Sequence, residues 1–247
     1  MNEDDNSAPD SGAWLKVAVC VPSAGDWKAT TAVSVARTAQ HFAKGCAGAL
    51  EIVAVKGFMI PEQRSRCVAE AWKMNATHLL WVDSDMGFPE DALLRLLKHG
   101  ERVVGVNYPR KMPAAIPTAY VDNAAETGPL YTTDDKAGLE EVRHCGFGLM
   151  LCEMNVFDAL AEDLPLFAFE PQPPHYTRFC TEDVYFCRKL RKHDIPVFID
   201  HDLSREIVHV GECAYTNDMA LNGLAEKRDG VSRLQIPERL IAAGDAA

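Results

Sequence analysis

The chain has 247 residues, 47% hydrophobic and 25% charged, enough for a full core and ordinary for a soluble globular protein. No apolar run approaches the roughly 18–20 residues that cross a bilayer, and the acidic stretch Met1 to Gly12 lacks the cationic-then-apolar order of a signal peptide. A net charge of −11 argues against a nucleic-acid binder resting on a broad basic surface. The eight cysteines are scattered with no Cys-x-x-Cys pair, which points to buried reduced thiols in a cytoplasmic protein rather than a zinc site.

Residues 1–13 read as a disordered lead-in, 14–224 as one α/β domain, and 225–247 as a polar, partly helical tail. Within the domain, Trp14 to Pro22 (WLKVAVCVP) predicts a first strand, closed by Pro22-Ser23-Ala24-Gly25. Thr30 to Phe42 places Ala32, Val35, Ala36, Ala39 and Phe42 at helical spacing. A second strand is expected at Leu50 to Val55 and a second helix at Pro61 to Lys73, with Pro61 in its first turn. A third strand at residues 78–82 precedes a helix from Pro89 to about His99, with Pro89 at its first position, and Arg102 to Val106 supplies a fourth strand.

Alternating strands and helices predict a parallel sheet covered on both faces, with ligands beyond the carboxyl ends of the strands. After Lys111 the rhythm changes to short strands and loops. Val142 to Cys152 resumes a strand pattern, broken by Gly146-Phe147-Gly148. Asn155 to Glu162 reads as a short helix, Leu166 to Thr177 as a loop, Thr181 to His193 as a helix, and Ile195 to Ile199 and Val208-His209-Val210-Gly211 as extended pieces.

The chemistry centres on His78-Leu79-Leu80-Trp81-Val82-Asp83-Ser84-Asp85, a buried strand ending in two acids. On an extended chain both carboxylates leave the same face, where they repel each other and favour a hard divalent cation. Capping of the next helix does not explain Asp85, which lies too far upstream.

Other candidates each have a plainer reading. Thr181 is a natural N-cap, and Glu182 and Asp183 suit the helix dipole as well as catalysis. His209 fits a hydrogen-bonded core histidine as well as a ligand, with His201 as its competitor, while His144 and His175 have no distinguishing context. Arg64 and Arg66 suit phosphate, although Arg66 also pairs with Glu62 at i,i+4. Lys56, Arg110 and Lys111 offer further positive charge. Gly146-Phe147-Gly148 either lets a substrate approach the backbone or marks a bulge.

These motifs, in this order, resemble the GT-A glycosyltransferases, in particular the family 2-like proteins of bacteria and phages. The resemblance spans roughly residues 15–213 and is most specific from Gln63 through the Asp-Ser-Asp to Asn107-Tyr108-Pro109-Arg110-Lys111. It implies a GT-A (Rossmann-like) three-layer fold with a mixed central sheet. It also implies a nucleotide-diphosphate sugar as donor, held near Pro22, Ser23, Arg64, Arg66 and Asp83.

In that resemblance Mn²⁺ or Mg²⁺ bridges Asp85 and the diphosphate, His209 supplies a third ligand, and Asp83 contacts ribose or reaches the metal through water. Glu182-Asp183 supplies the base, Asp183 being favoured, for transfer to an acceptor hydroxyl with inversion. One departure stands out: the second strand ends Lys56-Gly57-Phe58, without the acids that help read the base in the common pattern. The acceptor is left open among a glycan, a lipid-linked sugar, a protein, a small molecule and modified DNA. Two rivals stand beside this reading: a non-catalytic nucleotide-sugar-binding module of the same fold, and an Asp-x-Asp phosphohydrolase.

Overall fold

The computed structural model describes residues 14–112, 115–122, 127–174, 176–211 and 214–221. The expected lead-in and the tail beyond residue 224 lie outside these residues, as do His175 and Cys213. Strands and helices alternate at first: β1 (Leu15–Ser23), α1 (Ala29–Gly45), β2 (Gly48–Lys56), α2 (Ile60–Lys73), β3 (His78–Val82), β4 (Met86–Gly87), α3 (Ala92–Lys98) and β5 (Val103–Gly105). Short strands follow: β6 (Tyr120–Asp122), β7 (Thr127–Pro129), β8 (Leu139–Val142) and β9 (Leu149–Glu153), then α4 (Met154–Ala159). The remainder comprises β10 (Glu170–Gln172), β11 (Arg178–Cys180), α5 (Glu182–Lys192), β12 (Val197–Asp200), α6 (His201–Ser204), β13 (Val208–Val210) and β14 (Ala214–Tyr215).

Seven strands form the central sheet in the order β2-β1-β3-β9-β5-β12-β8. β1 pairs parallel with β2 and β3, and β5 with β12, whereas β9 runs antiparallel to both β3 and β5. The sheet is therefore mixed. Consecutive residues face opposite sides, as the pleat requires. Val17, Val19 and Val21 pack with Val35 and Phe42 of α1 and Leu93 and Leu96 of α3. Ala18 and Cys20 face the other way, toward Cys67 and Val68 of α2, Phe157 of α4 and Phe186 of α5. Both faces are covered, which is why these strands read as continuous apolar runs.

Three local expectations change. Pro89 does not begin α3: its carbonyl accepts from the Ala92 amide at 3.2 Å, and Asp91 occupies the cap position. The stretch 166–177 is not wholly loop, because β10 and β11 pair as an antiparallel hairpin; Glu170, Pro171 and Gln172 carry no apolar alternation to announce it. The glycines of Gly146-Phe147-Gly148 make room for Tyr108. A Cβ on Gly148 would lie 2.6 Å from the Tyr108 ring, and the Gly148 amide donates to the Tyr108 hydroxyl at 2.9 Å.

His144 stacks on Tyr120 with ring centroids 4.8 Å apart and planes at 18°. Burial, and then the nearby Arg143 and Arg110, push its imidazole down to about 4. A histidine whose folded pKa lies below its unfolded value stabilises the fold fully above that unfolded value, near 6.5, and loses this contribution as pH falls toward 4. His144→Phe keeps the stacked ring and is expected to remove about 1–3 kcal/mol of the acid destabilisation. Urea unfolding at pH 7 and pH 4 checks this; an unchanged difference between the two pH values refutes it.

Candidate active site

A cleft of about 380 Å³ opens beyond the carboxyl ends of β1, β2 and β3. Its walls are the residues that end or directly follow those strands: Pro22, Ser23 and Ala24, then Gly57 and Phe58, then Asp83, Ser84 and Asp85. Ile60, Gln63 and Arg64 of α2, Glu182 of α5 and His209 of β13 complete it. Pro22, Ser23, Arg64, Asp83, Asp85, Glu182 and His209 are thus brought to one place. Arg66 points elsewhere, donating to the Lys56 carbonyl at 3.3 Å.

Asp83 and Asp85 do not share an extended face. β3 ends at Val82, and Asp83-Ser84-Asp85 turns, with the Met86 amide donating to the Asp83 carbonyl at 3.3 Å. The turn sends the two carboxylates to different partners. Asp83 Oδ1 accepts from Arg64 Nη2 at 3.0 Å. Asp85 Oδ2 accepts from Lys111, and Asp85 Oδ1 lies 3.4 Å from His209 Nε2. Burial alone would raise the Asp85 carboxyl, but His209 and Lys111 beside it hold it below its ordinary value.

Arg64 is the centre of the cleft floor. It is 3% exposed, because it continues the inward stripe of α2 one turn before Cys67 and Val68. Its Nε donates to Glu182 Oε1 at 3.0 Å while Nη2 holds Asp83, and its guanidinium lies 4.6 Å from the Phe147 ring centre and 5.3 Å from that of Trp81. Burial alone would loosen its proton; Asp83 and Glu182 together more than reverse this. Its Nη1 is buried and has no hydrogen-bond partner among the described residues.

Glu182, at the first turn of α5, is committed to Arg64. Burial raises its carboxyl above the ordinary range, and Arg64 offsets that only in part. Thr181 takes the cap position, but its hydroxyl donates to Asp183 rather than accepting from the helix. Asp183 Oδ1 also accepts from the Val184 amide at 2.7 Å, and Asp183 is half-buried and outside the cleft lining. Its charge nonetheless reaches the site. Burial, then Asp83, then Asp183 raise the hydroxyl of Tyr108, whose ring packs against His209 with centroids 5.2 Å apart.

His209 arrives by strand pairing. β13 lies antiparallel to β4, with His209 opposite Met86, and the Val210 amide donates to the Asp85 carbonyl at 2.8 Å. His209 Nδ1 is 2.9 Å from the Pro109 carbonyl, which only accepts, so Nδ1 carries the proton. A neutral ring then aims the Nε2 lone pair at a carboxylate oxygen, an arrangement that needs a second proton or a shared cation between them. His201 has another role: at the start of α6 it is buried between Thr132 and Glu140 of the edge strand β8.

Among the described residues, no group of three or more His, Cys, Asp or Glu side chains is arranged to hold a metal. Asp85 and His209 nevertheless suit a hard cation that arrives with phosphate oxygens, since Mg²⁺ is commonly held by one or two carboxylates plus substrate phosphates. The sequence reading passed over Gln63, which donates to the Ser23 carbonyl at 3.3 Å, and Phe58, which is 92% exposed on the cleft wall. The signal for Gln63 was present: like Arg64 beside it, a polar residue sits where the apolar stripe of α2 calls for core.

Breaking the Arg64 clamp leaves the buried Glu182 and the half-buried Asp83 without their shared counter-ion. Arg64→Met is expected to lower stability by about 3–5 kcal/mol, and a loss below about 1 kcal/mol in urea unfolding would show that the clamp is not structural.

No protein-family model matches the chain, and no curated protein matches it. Solved structures do resemble it. A197 from STIV superposes with a TM-score of 0.54 at 16% identity, over 83% of this chain and 92% of A197. S. aureus TarS 1-349 gives 0.41 at 12% identity, over 75% of this chain and 57% of that one. GalNAc-T7 with UDP, GalNAc and Mn²⁺ gives 0.46 at 11% identity, over 77% and 43%. The likeness to A197 is one of fold, and the architecture is the GT-A (Rossmann-like) three-layer fold with a mixed central sheet.

Proposed function

We propose that the chain is a metal-dependent glycosyltransferase that moves a sugar from a nucleotide-diphosphate sugar to an acceptor hydroxyl with inversion. The observation that carries this reading is the convergence of Asp85, His209, the Arg64-held Asp83 and Glu182 on one cleft beyond the strand ends. Asp83, Asp85 and Glu182 outnumber the cations Arg64 and Lys111 there. A diphosphate therefore enters an already acidic site only with added positive charge.

Asp85 and His209 would hold Mn²⁺ or Mg²⁺. The ion's contribution, when bound, is to neutralise negative charge on the departing diphosphate. Asp83, pinned by Arg64, faces the donor ribose or acts on the metal through water. The backbone at Pro22 and Ser23 lines the donor site, and Phe58 offers an exposed ring to the base. With no acid at the end of β2, base recognition falls to Gln63 beside that ring.

Of the two acids opening α5, Glu182 is spent on Arg64, which leaves Asp183 as the base. Asp183 removes the proton of the acceptor hydroxyl, the acceptor oxygen bonds to the anomeric carbon, and the bond from that carbon to the diphosphate breaks on the opposite face. The electron pair leaves with the nucleoside diphosphate.

A calorimetric screen of nucleoside diphosphates with and without Mn²⁺ tests the donor and metal assignments. Asp85→Ala is expected to abolish manganese-dependent binding while leaving the thermal transition cooperative; undiminished binding refutes the assignment. Asp183→Asn is expected to keep donor binding and lose at least about a hundredfold in transfer rate. Retained turnover moves the base elsewhere, and donor binding without turnover in the unaltered chain identifies a binding module.

A further inference from the structure

Both oxygens of Asp85 are engaged: Lys111 sits on Oδ2, and His209 Nε2 lies 3.4 Å from Oδ1. The two partners belong to one assembly, because the loop that carries Lys111 also fixes His209. The Pro109 carbonyl accepts from His209 Nδ1 at 2.9 Å, and the Tyr108 hydroxyl accepts from the Gly148 amide at 2.9 Å. The root of the loop is therefore fastened to the sheet, while Lys111 reaches Asp85 on a flexible four-carbon stem.

We propose that Lys111 is a resident counter-ion of Asp85, which a divalent cation displaces and which then holds the donor diphosphate. The inference rests on the metal-dependent reading above and assigns its coupling to one side chain. A dication shared by Asp85 and His209 repels the ammonium from Oδ2. A diphosphate arriving with the metal gives that ammonium a new anionic partner within the same cleft. Metal alone must compete with Lys111 and binds weakly, whereas metal with diphosphate relieves the competition, so each strengthens the other.

The test titrates Mn²⁺ into the full chain, following the free ion by its electron paramagnetic resonance signal, with and without inorganic pyrophosphate. Lys111→Met is expected to bind Mn²⁺ alone about tenfold more tightly than the unaltered chain and to bind pyrophosphate at saturating Mn²⁺ about tenfold more weakly. Lys111→Arg, which keeps the charge, is expected to leave the affinity for Mn²⁺ alone unchanged. Equal Mn²⁺ affinity in Lys111→Met and the unaltered chain, with pyrophosphate still enhancing both, overturns the exchange and leaves the metal assignment standing. Absence of Mn²⁺ binding by either protein, even with pyrophosphate, overturns both together.

Discussion

The cleft depends on one buried guanidinium. Arg64 projects from α2 and holds Asp83 at the end of β3 and Glu182 at the start of α5. Without it the buried carboxylate of Glu182 and the half-buried one of Asp83 would repel each other with no cation between them. A guanidinium suits the task because its donors lie in a rigid plane, with faces that rest against the aromatic rings of Phe147 and Trp81. The clamp joins the neighbouring α2 and β3 to α5, more than a hundred residues further on, and fixes Asp83 before any ligand arrives.

Asp85 is balanced differently, and the contrast organises the proposed chemistry. Asp83 has a buried counter-ion that cannot leave; Asp85 has an exposed lysine on a flexible stem and an imidazole that faces it with a lone pair or a second proton. Of two acids separated by a single serine, one is committed to architecture and the other is able to exchange partners. The turn at Asp83-Ser84-Asp85 makes that division, since a continued strand would have sent both carboxylates the same way.

The small sheet of β4, β13 and β14 is the second constraint. β4 begins immediately after Asp85, so pairing β13 against it sets His209 beside the acid by backbone hydrogen bonds, independent of side-chain attraction. Tyr108 then packs against His209 and is itself admitted by the absence of side chains at Gly146 and Gly148. The geometry of the histidine is thus decided by a strand pair, a glycine pair and one carbonyl.

Sequence alone determined the layers and the mouth of the site. The apolar runs at 15–23 and 78–82 and the helical spacing around Val35 and Phe42 are local patterns, and local periodicity is enough to place strands, helices and strand ends. Asp83 and Asp85 were legible for the same reason. What only the tertiary structure decided were the partners: that Asp83 rather than a phosphate occupies Arg64, that Glu182 is held by Arg64 while Asp183 bonds its neighbours Thr181 and Val184, that Lys111 sits on Asp85, and that Arg66 turns away. Each joins residues far apart in sequence or depends on a turn of two residues. A one-residue change in extension redirects a side chain completely, and no periodic signal records where it goes.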